Sequence, residues 1–201
     1  MKAVFFDVGE TLVDEERWWR VLATRAGLQP HVVWAALGVT IERGEEHHAL
    51  WTHLGVDRPT TWWNDVTYDL GDLYPDAVAC LDACRALGLR VGIAGNQTEA
   101  LERWAREAAL PADAISSSAS LGVQKPDPRF FHRIVELAGC ASGEVAYVGD
   151  RVDNDILPAL AAGLVAVHVR RGPWGRLQTA PASVLTIDSL DELPETLASL
   201  P

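Results

Sequence analysis

The chain reads as an α/β protein. Its expected form is a Rossmann-like three-layer α/β/α core with a parallel sheet, plus a small all-helical unit. Three observations predict this. Short apolar runs alternate with helical stretches over residues 76–201, the pattern of strands joined by crossover helices. A lone apolar run, residues 2–7, precedes them and ends on Asp7. Between the two, residues 14–75 show helical periodicity and no clear strand. The core domain is therefore expected at 1–13 and 76–201, with 14–75 as a helical insertion.

Each element has its own local reason. Residues 2–7 form a short buried run bounded by a polar loop, which suits a strand. Residues 76–87 place Ala77, Val78, Leu81, Cys84 and Leu87 at helical spacing, and Gly88 follows as a C-terminal stop. Leu89–Ala94 is a second strand. Thr98–Ala109 is a helix with Thr98 as its cap. Ala114–Ser116 is a weak third strand. Asp127–Ala138 is a helix with Pro128 in its first turn, where proline is tolerated. Val145–Val148 and Val165–Val169 are strands flanking a helix over 153–162. Val184–Ile187 is a sixth strand, and 189–200 a terminal helix. Residues 170–175, rich in Gly and Pro, are expected to be a loop. In the insertion, Trp18, Trp19, Trp34, Trp51, Trp62 and Trp63 are read first as its own small core, because a short bundle needs large side chains to bury enough area.

Composition narrows the partners. A formal net charge of -11 disfavours nucleic acid and anionic membranes, which would repel the surface. Three cysteines in no framework spacing imply reduced thiols and a cytoplasmic setting. Cys80 and Cys84, four apart, read as core thiols on one helical face. No signal peptide and no membrane-length apolar run is expected. Oligomeric state is not legible.

Four segments carry chemistry. They are Asp7-Val8-Gly9-Glu10-Thr11, Gly92-Ile93-Ala94-Gly95-Asn96, Gln124-Lys125-Pro126, and Gly149-Asp150-Arg151-Val152-Asp153-Asn154-Asp155. Ligand sites in parallel sheets lie beyond the carboxyl ends of the strands. Asp7 there can serve as a nucleophile. Thr11 can brace the loop around it. Asn96 follows the second strand and can face the same pocket. Lys125 can offset the charge of a phosphate and the nucleophile together. Asp150, Asp153 and Asp155 gather carboxylates that repel unless a hard cation such as Mg²⁺ neutralises them. Asp153 also has a plain reading as a helix-terminal charge. Arg17, Arg20 and Arg151 are read as solvated before they are read as substrate contacts. His47, His48 and His53 are read as surface residues, since adjacent histidines diverge on a helix.

In this order the four segments resemble the haloacid dehalogenase (HAD) superfamily, aspartate-nucleophile hydrolases that are mostly Mg²⁺-dependent phosphatases. The resemblance covers nearly the whole chain. The 14–75 insertion sits where that family carries its first type of helical cap (type C1). The resemblance implies Asp7 as nucleophile and metal ligand, with the Gly9 carbonyl, Asp150 and Asp155 as further metal ligands. It implies Lys125 as the residue steadying phosphate and nucleophile, with Thr11, Gly95 and Asn96 around the phosphate. The substrate would be a small phosphorylated metabolite.

Two positions depart from the family pattern. Phosphatases of the family carry a second Asp two residues after the nucleophile, as general acid and then base; here that residue is Gly9. Losing such a group costs about 10²–10⁴-fold in rate. Glu10 is adjacent, but neighbouring side chains on a loop need not point the same way. Gly95 replaces a Ser or Thr whose hydroxyl contact is worth about 1 kcal/mol. Family members with a cap-lysine Schiff base are excluded, because 14–75 contains no lysine. True dehalogenases bind no metal, and the Asp150–Asp155 cluster speaks against them. The first reading is thus a phosphatase weakened at Gly9, with a preference for good leaving groups. The alternative is a catalytically impaired member that binds a phospholigand or a protein.

Overall fold

The computed structural model describes residues 1–60 and 67–200. Six strands form one sheet: β1 (Ala3–Phe6), β2 (Arg90–Gly95), β3 (Ala114–Ser117), β4 (Val145–Gly149), β5 (Val165–Val169) and β6 (Leu185–Ile187). Their order is β3-β2-β1-β4-β5-β6, and every pairing is parallel. β1 is central and fully buried, which suits its continuous apolar run. The chain winds outward from β1 through β2 and β3, then restarts at β4 on the other side. The crevice at the tips of β1, β2 and β4 is therefore the switch point at which ligands bind in such sheets.

Ten α-helices lie among the described residues. α1 (Glu16–Arg25), α2 (Pro30–Glu42) and α3 (Ala49–Leu54) belong to the insertion. α4 (Ala77–Ala86), α5 (Glu99–Glu107), α6 (Ser118–Leu121), α7 (Pro128–Ala138), α8 (Leu157–Ala161), α9 (Gly172–Leu177) and α10 (Leu193–Ala198) follow. α4, α5 and α10 cover one face of the sheet, packing Leu81, Leu101 and Leu197 against Val4 and Phe6. α7 and α8 cover the other, packing Phe130, Phe131 and Ala159 against Phe5 and Tyr147. The three layers expected from the sequence are all present. Cys80 and Cys84 are buried on α4, as their spacing predicts. Thr98 caps α5 by accepting from the Ala100 amide (3.3 Å). None of the described helices is long and apolar enough to cross a membrane.

The chain leaves the sheet region at Val13, which bridges both Gly9 and Leu73. The Asp14 amide donates to the Asp72 carbonyl (2.8 Å) and the Tyr74 amide to the Leu12 carbonyl (2.9 Å). Departing and returning segments are thus stitched side by side, and the Arg17 guanidinium grips Asp72 across them (2.8 Å through Nε).

Two expectations are corrected here. Residues 170–175 are not all loop: α9 begins at Gly172, with Pro173 tolerated in its first turn. The insertion's tryptophans also do not form a private core. Trp19 and Trp51 pack with Leu22, Leu37 and Leu50, but the same cluster takes in Trp174 from α9. Trp18 instead faces Tyr68, ring centres 4.8 Å apart. Trp62 and Trp63 lie outside the described residues.

Candidate active site

Asp7 follows β1, its amide held by the Val148 carbonyl at 2.9 Å. Its carboxylate meets the Lys125 ammonium at 2.6 Å, and the same ammonium meets Asp155 at 2.6 Å. Lys125 is only 2% exposed. Burial would pull its pKa down, but Asp155 and Asp7 outweigh this and hold it well above the ordinary lysine value. Asn96 fixes the lysine's backbone from both ends: its amide nitrogen donates to the Lys125 carbonyl (2.9 Å), and its side-chain oxygen accepts from the Lys125 amide (2.7 Å). The Asn96 side chain thus positions Lys125, and Asn96 also lines the cleft. Gly95 has a steric part. A Cβ there would lie 2.5 Å from Asp7 Oδ1, so the bare glycine makes room for the Asp7 carboxylate.

Asp150 and Asp155 come from the turn after β4. The Asp155 carboxylate lies under Gly149, where a Cβ would come within 2.5 Å of its Cγ. Its Oδ1 takes Lys125 and its Oδ2 accepts from the Arg151 amide (3.0 Å). Burial raises its pKa to about 6, against the opposing pull of Lys125. The Asp150 carbonyl accepts from His168 Nε2 (3.0 Å). Asp150 Oδ2, by contrast, is buried without a hydrogen-bond partner among the described residues. Burial, and then Asp155 and Asp7, push its carboxyl well above the usual carboxylate range.

Carboxylate oxygens of Asp7, Asp150 and Asp155 lie within 4.8 Å of one another. One ammonium bridges Asp7 and Asp155, and a buried Asp150 oxygen has no hydrogen-bond partner among the described residues. That donor set fits a hard divalent cation, which takes oxygen ligands. Asp153 is not part of it; it pairs with Arg151 (2.6 Å) and accepts from Gln178 (3.0 Å).

The loop after Asp7 turns sharply. Glu10 adopts a left-handed backbone (φ 51°), and its carboxylate is held on both oxygens. One oxygen accepts from the Tyr74 hydroxyl (2.6 Å), the other from the Glu15 amide (3.3 Å). The glutamate also lies against Gly172, where a Cβ would stand 2.5 Å from its Oε2. Burial raises its pKa to about 7. Arg171 stabilises this arrangement from below, donating to the Thr11 carbonyl (3.2 Å) and to Asp76 (3.0 Å). Glu15 takes the opposite course. Its carboxyl overlies Gly9 and is bonded by the Trp19 side chain. Desolvation, then the charges of Glu10 and Asp7, raise its pKa to about 8.

These groups border a cleft of about 1040 Å³. Its floor includes Asp7, Gly9, Lys125 and Asp150; its opposite wall includes Trp18, Trp51 and Trp174. Thr11 does not line it. Thr11 is fully buried, its hydroxyl has no hydrogen-bond partner among the described residues, and its carbonyl braces Arg171. Arg17 and Arg20 do not line it either, being paired with Asp72 and Glu16. Arg151 does, with its guanidinium 4.8 Å above the Trp174 ring. His48 and His53 are exposed, as the surface reading expects, while His47 is half-buried; His47 and His48 border the cleft with ring centres 3.7 Å apart. Desolvation lowers the His47 pKa to about 3, so it is neutral near pH 7. Glu15 and Trp174 have no sequence signal of their own. Glu15 sits in the acidic run Asp14-Glu15-Glu16, which reads as ordinary helix-start charge.

Comparison with known proteins agrees with this geometry. A family model for haloacid dehalogenase-like hydrolases matches residues 1–163. The glyceraldehyde 3-phosphate phosphatase of Methanocaldococcus jannaschii is 32% identical over 130 residues, covering 63% of this chain and 57% of that protein. The enzyme of the same name from Methanopyrus kandleri is 29% identical over 201 residues, covering 87% and 86%. The chain thus matches little more than half the length of the first relative and most of the second. Among solved structures, L-2-haloacid dehalogenase from Xanthobacter autotrophicus superposes with a TM-score of 0.71 at 20% identity, covering 100% of both chains. A HAD phosphatase from Thermococcus onnurineus does so with a TM-score of 0.64 at 21% identity, covering 98% of each. At such identities the likeness speaks for the fold.

Proposed function

Since the chain belongs to the haloacid dehalogenase-like hydrolases, we propose that it is a Mg²⁺-dependent phosphatase acting on a small phosphorylated metabolite through an aspartyl-phosphate on Asp7. The observation that carries this reading is the meeting of Asp7, Lys125, Asp150 and Asp155 at the tips of β1 and β4. The names of its relatives support the substrate class, since they include phosphatases of glyceraldehyde 3-phosphate, phosphoserine and phosphoglycolate.

Asp7, the Gly9 carbonyl and Asp150 would hold the cation, with Asp155 bearing on it through water because both its oxygens are already engaged. When bound, the ion neutralises phosphate and carboxylate charge and orients the phosphoryl group. Asp7 attacks phosphorus. Lys125 keeps Asp7 aimed and offsets the charge that builds on the phosphoryl oxygens. Asn96 holds Lys125 in place, Gly95 gives Asp7 clearance, and Thr11 braces the loop. Residues 14–75 act as the cap, and their aromatic wall selects the substrate. The buried, unpaired Cys80 and Cys84 suit a reducing cytoplasm.

The test is phosphate release from those three metabolites, with Mg²⁺ and with a chelator, for wild type and Asp7→Asn. Turnover should require Mg²⁺, and Asp7→Asn should lose on the order of 10⁴-fold or more. Full turnover by Asp7→Asn would overturn the mechanism. A non-catalytic binding role is the weaker reading, because a binding module needs no buried nucleophile held by a lysine.

A further inference from the structure

Position 9 carries no side chain, yet the space beside it is filled. A Cβ built on Gly9 would lie 2.8 Å from the Glu15 carboxyl carbon and 3.5 Å from its Oε2. Glu15 lines the cleft together with Asp7 and Gly9. It stands one residue before α1, so it reaches back over the loop from the insertion side. Glu10, the nearer glutamate in sequence, has its carboxylate bonded to Tyr74 and to the Glu15 amide. The Glu15 carboxyl occupies the volume a residue-9 side chain would take.

We propose that Glu15 is the proton-transferring residue of this enzyme, delivering from the insertion the carboxyl group that Gly9 lacks. This rests on the phosphatase reading above. In the first step an Asp7 oxygen bonds to phosphorus as the bond to the leaving oxygen breaks, and the Glu15 carboxyl gives that oxygen its proton. In the second, water bonds to phosphorus and gives a proton to the Glu15 carboxylate as the Asp7–phosphorus linkage breaks. The sum is ester plus water to alcohol plus inorganic phosphate, with Glu15 reprotonated. Gly9 then has a reason: a side chain there would displace the acid.

The experiment uses the full chain with Mg²⁺ and two probes. 4-Nitrophenyl phosphate has a leaving group that needs no proton; glycerol 3-phosphate has one that does. Glu15→Gln keeps the shape and removes the acid. It should lose about 10²–10⁴-fold in kcat on glycerol 3-phosphate. On 4-nitrophenyl phosphate it should give a burst of one nitrophenolate per active site and then turn over slowly, because the first step survives and the second lacks its base. Burst amplitude counts folded enzyme, so partial misfolding does not mimic the result. Gly9→Asp alone should bring no gain, since Glu15 holds the space. Gly9→Asp combined with Glu15→Ala should regain at least tenfold over Glu15→Ala alone. Wild-type kcat on glycerol 3-phosphate in Glu15→Gln, or equal losses on both probes without a burst, would overturn the proposal. Asp7→Asn, run alongside, separates the failures. If it is inactive while Glu15→Gln is unimpaired, only the role of Glu15 falls; if it turns over fully, the phosphatase reading falls and takes Glu15 with it.

Discussion

The two walls of the cleft are built on different principles. At the strand tips short polar contacts hold the lysine and two of the carboxylates: Lys125 between Asp7 and Asp155 at 2.6 Å each, and Asn96 on the Lys125 backbone. Bare glycines at 95 and 149 let the carboxylates approach. The facing wall, α1–α3 with α9, is held by ring packing. Trp19 lies 5.5 Å from Trp34 and 6.4 Å from Trp174, with Arg151 over Trp174. Charges gathered in a buried place cannot be exchanged singly, because each removal strands the others. Aromatic walls can repack around a changed side chain at modest cost. The proposed chemistry thus falls on the wall that tolerates least change, and the proposed selectivity on the one that tolerates more. Glu15 stands on the seam.

Replacing the shared cation is the most severe way to test that division. Lys125→Met keeps the length of the side chain but leaves Asp7, Asp150 and Asp155 facing one another without compensation. The expected loss is about 3–5 kcal/mol in stability by urea unfolding, and about 10²–10³-fold in kcat. On the other wall, Trp174→Ala should cost about 3 kcal/mol, since the ring is 6% exposed and shared between α9 and the insertion. Its kinetic effect should fall on KM, with kcat kept within a few-fold. If Trp174→Ala lowered kcat as far as Lys125→Met, the two walls would not be functionally separate.

The strand-tip wall is largely legible in the sequence. Asp7, Lys125, Asp150 and Asp155 follow from chain order, because a parallel sheet brings the carboxyl ends of its strands together wherever they lie in sequence. The facing wall is not. Trp174 joins the insertion's core from more than a hundred residues away, and a Gly-Pro stretch gives no hint that it starts a helix. Glu15 is hidden differently. Its place over Gly9 depends on the left-handed turn at Glu10 and the bridge from Val13 to Gly9, and neither has a periodic signature. The usable clue is the pairing of an unexpected glycine with a carboxylate a few residues on. The contacts of Asn96 with the Lys125 backbone and of Gly95 with Asp7 are not legible either, because the sequence places these residues at a strand tip but does not show what packs against them.

Glu10 offers a finer test, because it lines the cleft and anchors the loop between its two walls. Its carboxyl is buried, faces Tyr74, and lies near Asp14 and Arg171. Burial lifts its pKa from 4.5 to about 7, with the Tyr74 bond to the ionised form opposing the rise. The folded chain therefore keeps a proton that the unfolded chain has released, so stability falls as pH rises from about 4.5 through about 7. A tenfold change in proton affinity corresponds to about 1.4 kcal/mol, which makes the loss across that window on the order of 3 kcal/mol. Glu10→Gln removes this titration. Unfolding midpoints in a chelator at pH 5 and pH 8 should show the variant gaining on wild type as pH rises. A difference that stays constant or shrinks with pH would mean that Glu10 is ionised in the folded protein. Its carboxylate would then be a fixed charge beside Glu15, and the loop would be held by electrostatics like the strand tips.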